Sequence, residues 1–314
     1  DLYGSGVSPC WVANARHLTS LKLKNIFCCA LKGENRMSKP SQGEVKSLWR
    51  YPVKSMQGEE VSAASIEDNG LLGDRAYALI DADDGKIATA KNPRKWPSLF
   101  SFKSTFMKTP SSGETMPAVC IQLPNGTSVI SAEKDIDQIL SKALNRKVTL
   151  AVTGPSHSNS SAGTSEEYWP DIEGRDKRNT TTDFALPKGT FFDAGQIHLL
   201  STSTLARLSD SYSQGNFDVQ RFRPNIVLES RGSEKSFIEE TWIGCTLAIG
   251  NDVRIKITGP TGRCVMTTLA QGDYPQDHGI LRTAVQQNQG NVGVYASVIR
   301  KGLIRTGDQV RLES

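Results

Sequence analysis

The segment Gly259–Thr268, GPTGRCVMTT, sets a cysteine after a Gly/Pro/Gly turn and directly beside a guanidinium. Turns of this kind expose side chains, and Arg263 with the turn amides favours the thiolate of Cys264, the form that is nucleophilic and binds soft metals. A lone cysteine is more commonly a small buried hydrophobe, and that reading stands beside the reactive one. Cys120 and Cys245 lie in strand-like apolar patterns and take the hydrophobic reading. A second segment, Arg221–Leu228 (RFRPNIVL), joins two guanidiniums to an amide and then to a strand-like run. Pro224 biases Arg223 towards extended backbone. Arg223 offers a planar fork to phosphate or another extended anion, and Asn225 can donate and accept beside it. Solvent-facing arginines before an edge strand fit the spacing equally well. In a third segment, Tyr51–Ser55 (YPVKS), Lys54 and Ser55 could hold a phosphate oxygen, with Gly73-Asp74-Arg75 about a strand and a loop further on. Asp74 and Arg75 read equally as a surface ion pair of little worth.

These residues need a scaffold, and from Glu44 onward strand signals dominate. Short β-branched or aromatic runs alternate with Asp-Gly and Asn-Gly turns suited to positive φ. Ala76–Ile80 and Lys86–Ala90 flank Asp84-Gly85, and Val119–Leu123 and Thr127–Ile130 flank Asn125-Gly126. Thr246–Ile249 and Val253–Ile257 flank Gly250-Asn251-Asp252. Ile136, Ile139, Leu140 and Ala143 recur at helical spacing, as do Leu205 and Leu208 after the cap candidates Ser201 and Thr202. Between Gly154 and Gly189 the chain turns polar, longer than an ordinary connection. The expected organisation is a poorly structured extension (1–42), a first module (43–152), a polar linker or lid (153–185) and a second module (186–313).

Composition excludes several classes of function. With 37 Lys+Arg against 33 Asp+Glu, the net charge of +4 is too small for the dense positive field of a general nucleic-acid binder. No run approaches the roughly 20 apolar residues that cross a bilayer, so no integral membrane segment is expected. The six cysteines form neither a C-x-x-C pair nor a dense disulfide scaffold, which favours a reducing compartment. Four scattered histidines make a His-rich metal cage a poor fit, so a soft metal would rely on thiolate. There is no G-x-S-x-G elbow and no dinucleotide fingerprint. Residues 1–36 are basic, with Arg16, Lys22, Lys24 and Lys32, and read either as a transit-like segment or as sequence upstream of a start at Met37. The expected location is cytoplasmic, or the mitochondrion or plastid if that segment is a targeting signal.

In this order and register, Tyr51–Ser55, Gly73–Arg75, Arg221–Val227, Trp242 with Gly244, and Arg263-Cys264 with Thr267-Thr268 resemble the MOSC-domain proteins with an N-terminal MOSC β-barrel module, the group of the mitochondrial amidoxime-reducing component. The likeness runs from Glu44 to Glu313. It implies a mainly β fold with a few helices, of the α+β kind, with an N-terminal barrel-like module packed on a C-terminal MOSC β-barrel. It also implies a molybdenum cofactor, a molybdopterin whose metal is bound by Cys264 and by the pterin's own dithiolene sulfurs. Carried over by motif, Lys54, Ser55 and Arg75 from the first module and Arg223, Asn225 and Arg263 from the second would clamp the pterin and its phosphate. The function implied is reduction of N-hydroxylated small molecules, with electrons from a separate cytochrome b5-like or ferredoxin-like protein. The alternative is a cofactor carrier or a sulfur-transfer protein. Cofactor sulfurases carry a pyridoxal-phosphate module in addition, and no lysine-centred site for that group is visible in this sequence. One departure stands out. At Asp193–Gln196 the amidoxime-reducing members present hydroxyls to the cofactor, whereas Ala194 and Gly195 could offer only backbone as a wall of the pocket. The membrane anchor of those members is unmatched as well.

Overall fold

The computed structural model describes residues 41–153 and 163–313, so the expectations for 1–40 and for 154–162 of the polar stretch lie outside the described residues. In chain order the strands of the first half are β1 (Ser41–Arg50), β2 (Glu59–Val61), β3 (Ala63–Glu67), β4 (Gly70–Leu71), β5 (Tyr77–Asp81), β6 (Lys103–Phe106), β7 (Val119–Gln122), β8 (Ser128–Ile130) and β9 (Val148–Val152). Then follow β10 (Thr164–Trp169), β11 (Thr180–Ala185), β12 (Ile197–Ser201), β13 (Ile226–Ser230), β14 (Thr246–Ile249), β15 (Val253–Gly262), β16 (Asn291–Arg300), β17 (Gly302–Arg305) and β18 (Gln309–Glu313). The α-helices are α1 (Ile136–Leu144), α2 (Thr202–Ser211), α3 (Val219–Phe222) and α4 (His278–Asn288). The chain is mainly β with a few helices, as its turn and strand signals imply.

The main sheet runs β13-β12-β16-β15-β14-β18-β1-β2, and β1 also pairs with β13, which closes a barrel with β2 as an outlying strand. Period-two alternation explains why it closes: along β15, Val253, Ile255 and Ile257 are buried while Arg254, Lys256 and Thr258 face outward. The interior is almost wholly aliphatic, with Val45, Leu48, Leu199, Ile226, Leu228, Leu247, Ile255 and Val294 among its members. A second core gathers Val53, Met56, Leu79, Trp96, Phe102, Ile121 and Leu140 beneath α1 and the sheets β5–β9 and β6–β7–β8. The Asn125-Gly126 and Gly250–Asp252 turns join paired strands as their sequence predicts. Ser201 caps α2 by accepting from the Thr204 amide at 3.1 Å.

One expected hairpin needs correction, and the expected modules and linker show pairings that local signals do not announce. The first module's opening strand β1 is a stave of the barrel completed by β13 and β18, and β3 pairs with β17. Lys86–Ala90 meets β5 only through a bridge at Ile80 and Ile87, and the full partner of β5 is β9, which arrives after α1. Residues 164–185 of the expected linker form the β10–β11 hairpin, tied to the body by a bridge between Ile87 and Ser165. Local turn chemistry predicts neighbours in sequence, whereas these pairings are non-local. The described residues pack as one compact unit.

Candidate functional site

Cys264 sits where β15 ends and a 3-10 turn, Val265–Thr268, begins. The turn is held from beneath by Arg221, which is fully buried and donates to the carbonyls of Thr267 (3.2 Å), Leu269 (3.1 Å) and Pro275 (2.8 Å). Thr267 and Thr268 turn their hydroxyls onto the carbonyls of Cys264 and Val265, at 3.1 and 2.8 Å. The Arg263 amide donates to Gly290 at 2.7 Å, and its guanidinium to the Phe222 carbonyl at 2.8 Å. The backbone around the sulfur is thus held both by its own turn and by partners from other elements.

The Tyr51–Ser55 and Gly73–Arg75 segments are laced together by main-chain bonds: Lys54 N to Tyr77 O, Arg75 N to Tyr51 O and Tyr77 N to Pro52 O, at 2.8, 2.8 and 2.9 Å. Tyr51 is the hub. Its ring lies 4.5 Å from the Arg75 guanidinium and 4.1 Å from that of Arg223. Its hydroxyl donates to the Pro224 carbonyl at 3.3 Å. The Asp74–Arg75 pair is no surface decoration, because the Asp74 carboxylate is buried and also accepts from the Tyr51 amide at 2.9 Å. Arg223 is not extended as Pro224 suggests. It caps α3 in the left-handed region with φ of 54°, its amide bonded to the Val219 carbonyl at 3.0 Å. Ser55 (φ 64°) and Arg75 (φ 48°) share that uncommon conformation, so three residues of one site carry backbone strain of a kind that clusters at functional sites.

Lys54, Ser55, Arg75, Arg223, Asn225, Arg263 and Cys264 all line one cleft, a cavity of about 100 Å³ open to solvent. Their individual contacts differ. The Asn225 amide accepts from the His198 N–H at 3.0 Å and faces the Trp49 carbonyl at 3.4 Å, so it braces backbone from β12 and β1. The Ser55 hydroxyl accepts from the Ala90 amide at 3.0 Å and keeps its own proton to give. Arg223 donates to the Met56 carbonyl at 2.6 Å.

Several lining residues were missed by sequence reasoning. Lys91 pairs with Glu167 at 3.4 Å and with Asp193 at 3.3 Å, and Lys54 pairs with Asp193 too. Lys91 follows a small-residue run with no motif, and no local pattern marks it. His198 and Tyr295 lie in barrel strands and read as core; only Gly293, whose added Cβ would come 2.4 Å from His198 Nε2, hints at a tight local fit. The wall expected at Asp193–Gln196 is present for Asp193, Ala194 and Gly195, joined by Phe191 and Phe192.

Electrostatically the cleft is lopsided, with Lys54, Arg75, Lys91, Arg223 and Arg263 facing the carboxylate of Asp193. Burial alone would raise the Asp193 carboxyl, but Lys54 and Lys91 outweigh it and hold the group below the usual carboxylate range. Burial, then Arg75, pushes the Arg223 guanidinium down to about 10. Burial also drives the His198 imidazole well below its ordinary value, with Arg263 adding to the effect, so it is neutral. The Cys264 thiol is raised, not lowered: burial is the largest influence, and Lys91 and Arg263 offset only part of it. The sequence expectation of an intrinsically favoured thiolate is corrected accordingly, because turn position does not guarantee hydration. Behind the sulfur, the buried Nε of Arg263 meets no hydrogen-bond acceptor among the described residues.

Comparison with known proteins matches the MOSC N-terminal beta barrel domain to residues 42–147 and the MOSC domain to residues 187–311. The chain belongs to the MOSC-domain proteins. The mitochondrial amidoxime reducing component 2 of Rattus norvegicus is 26% identical over 293 residues, covering 85% of this MOSC chain and 82% of the relative. The human mitochondrial amidoxime-reducing component 1 is 25% identical over 233 residues, 72% of this chain and 66% of its own. The molybdenum cofactor sulfurase of Oryza sativa subsp. japonica is 26% identical over 286 residues, 80% of this chain but 32% of its own, so the MOSC chain spans about a third of that protein. Together these relatives point to a function related to the molybdenum cofactor. No helix among the described residues is long and apolar enough to cross a membrane.

Proposed function

We propose that the cleft holds a molybdenum cofactor through the Cys264 sulfur and reduces N-hydroxylated small molecules. The observation that carries this reading is the excess of buried and half-buried cations around a single thiol, with Arg263 Nε lacking an acceptor that an anionic ligand would supply. The donor set fits such a group. Among the described residues no three His, Cys, Asp or Glu side chains form a metal-binding group, so a metal at Cys264 would draw its other donors from the ligand itself. When bound, the cofactor would supply a two-electron couple. The net reaction is R–C(NH2)=N–OH plus two electrons and two protons to R–C(NH2)=NH plus water, the electrons coming from a separate cytochrome b5-like or ferredoxin-like protein.

The chain's own residues do the holding and orienting. Arg223, Arg263 and Lys91 neutralise the ligand's anionic part, and Arg75, stacked on Tyr51, extends that positive wall. Lys54 already donates to Asp193 and to the Phe191 carbonyl, so it fixes the Phe191–Gly195 wall and offers its one remaining donor to the ligand. Ser55 can donate its hydroxyl proton, and Asn225 acts by keeping His198 and the Arg223 turn in place. Protein from a host that makes the cofactor is expected to carry molybdenum in proportion to chain, measured by plasma mass spectrometry, and Cys264→Ala is expected to lose it with all N-hydroxy reductase activity. Equal metal and activity in the variant would remove Cys264 from the site.

A cofactor carrier or sulfur-transfer role is the second reading, favoured by the likeness to the sulfurase. It predicts no turnover of benzamidoxime with an artificial reductant, and transfer of cofactor to an apo-enzyme on mixing. The reductase reading predicts many turnovers and no transfer. On location, a cytoplasmic protein is the reading retained, with the mitochondrion, for which the reducing-component relatives are named, or the plastid as the alternative.

A further inference from the structure

Beside the Cys264 cleft lies a second cavity of about 490 Å³, lined by Trp169 at the end of β10, by Arg175 and Lys177 in the turn before β11, and by Val285 and Gln289 at the end of α4. That volume is in the range that accepts drug-sized ligands. The indole is held in place, since its Nε1 donates to the Thr182 hydroxyl on β11 at 2.9 Å. Lys177 Nζ stands 5.1 Å from the indole centroid and the Arg175 guanidinium 5.9 Å from it. Asp176 is on the lining as well, exposed between the two cations. Two cations standing over a fixed indole suit an aromatic compound that bears an anion, the charge meeting the cations and the ring packing on the apolar surface beside them.

The cavity is joined to the cleft by two contacts. Arg175 donates to the carbonyl of Arg263, the residue before Cys264. Two positions before Trp169, and so on the same face of β10, Glu167 takes the Nζ of Lys91, which lines the Cys264 cleft. A ligand seated on Trp169 would touch Arg175, which bonds the residue before the sulfur.

We propose that this second cavity is the substrate-recognition site, selecting planar compounds that carry a carboxylate or phosphate, with Trp169 as the platform and Lys177 and Arg175 as the anion's partners. For the chemistry at Cys264 this rests on the reductase reading; for binding it does not.

Binding is tested by calorimetry on the full chain with 2-naphthoate and its neutral counterpart 2-naphthamide. The naphthoate is expected to bind about tenfold more tightly. Lys177→Gln should bring the two affinities together, and Trp169→Leu should weaken both, while Lys235→Gln, exposed and outside the lining, serves as control. Equal affinities in the parent chain, or naphthoate binding unchanged in both Lys177→Gln and Trp169→Leu, would overturn the assignment. The catalytic arm compares benzamidoxime with 4-carboxybenzamidoxime on holo-protein. The carboxylated substrate should show the lower KM, and Lys177→Gln should shrink the ratio of the two kcat/KM values towards one. If neither compound is reduced but the naphthoate results hold, the reductase reading fails and the anion site stands. If both are reduced with the same kcat/KM and Lys177→Gln leaves that ratio alone, the cavity is not the substrate site.

Discussion

The barrel interior and the wall of the Cys264 cleft are built from opposite materials. Inside the barrel, Leu48, Leu199, Ile226 and Ile255 bury only hydrocarbon. In the cleft wall, Lys54, His198, Arg223 and Asn225 are buried to a similar degree but bring charge or amide with them. Hydrocarbon burial stabilises a fold by roughly 25 cal/mol per Å². Burying charge costs several kcal/mol per ion unless partners compensate, and replacing such groups by apolar ones is often neutral or stabilising. The barrel is therefore the source of stability, and the cleft is a place where stability is given up. Burial, and then the charge of Arg75, push the Arg223 guanidinium down to about 10, which a stability optimum would not retain. That tension is the best physical mark of a binding site on this chain.

The sharpest way to test the contrast is to remove hydrocarbon from the barrel. Ile255 is fully buried in the aliphatic core, so Ile255→Ala is expected to cost about 2–5 kcal/mol in urea unfolding. The loss should be the same at pH 7 and pH 5, because no titrating group shares its surroundings in that core. Cofactor content per folded chain should be unaffected. A loss below about 1 kcal/mol would mean the barrel is not where stability resides.

Next in size is Arg223→Ala, which should weaken cofactor retention by the value of a charge-assisted contact, about 1.5–3 kcal/mol. Lys46→Ala is the comparison, because Lys46 forms an exposed pair with Glu229 on the barrel's outer face. Cofactor retained after extensive dialysis measures both. Equal retention in the two variants would put the anion site elsewhere.

Much of this contrast is legible in the sequence, and the rest is lost for identifiable reasons. Val253–Ile257 announces a half-buried strand by alternation, and Asn125-Gly126 announces its hairpin, because both signals are local. The motifs around Lys54, Arg75, Arg223 and Cys264 are recognisable one at a time, and the structure brings them to a single cleft. Their separate functions in that cleft are not legible. Arg221 and Arg223 look alike as sequence, yet one is sealed beneath the Cys264 turn and the other faces the cleft. Lys91 and Tyr295 arrive through long-range pairings that no short window encodes, and the raised thiol of Cys264 depends on burial by segments far away in the chain.

A smaller effect appears on the pH axis. His198 is neutral because burial, then Arg263, pushes its imidazole well below the ordinary value. The unfolded chain takes up that proton near pH 6.5, so below this point the unfolded state binds more protons than the folded one. Stability present above about pH 6.5 is lost as the pH falls towards the folded value, at up to about 1.4 kcal/mol per pH unit. Urea titrations between pH 7 and pH 5 should show this slope in the parent chain and a flatter one in His198→Gln. Identical slopes would mean that His198 titrates alike in both states.

The finest test uses two neighbours on the cleft wall, Ala194 and Gly195, where the family resemblance implies hydroxyls. Both line the cleft, but their surroundings differ. A Cβ on Gly195 would come 2.4 Å from Tyr295 Cδ1 and 2.8 Å from its Cβ, the base of the side chain and not its flexible end. Gly195→Ser should therefore displace Tyr295 and cost about 1–3 kcal/mol in stability, the range for overpacking. Ala194 already carries a Cβ, so Ala194→Ser adds only an oxygen. If that hydroxyl reaches the bound ligand, retention should improve by one neutral hydrogen bond, about 0.5–1.5 kcal/mol or roughly twofold to twelvefold. The measurement is the rate of molybdenum loss on dialysis, set beside urea stability of the cofactor-free chain. Slower loss in Ala194→Ser with unchanged stability would mean that this wall faces the cofactor and that the parent chain holds it through backbone there. No change in loss rate, with Gly195→Ser alone destabilised, would assign the wall to packing against Tyr295 and move the cofactor's contacts to the Arg223 and Arg263 side.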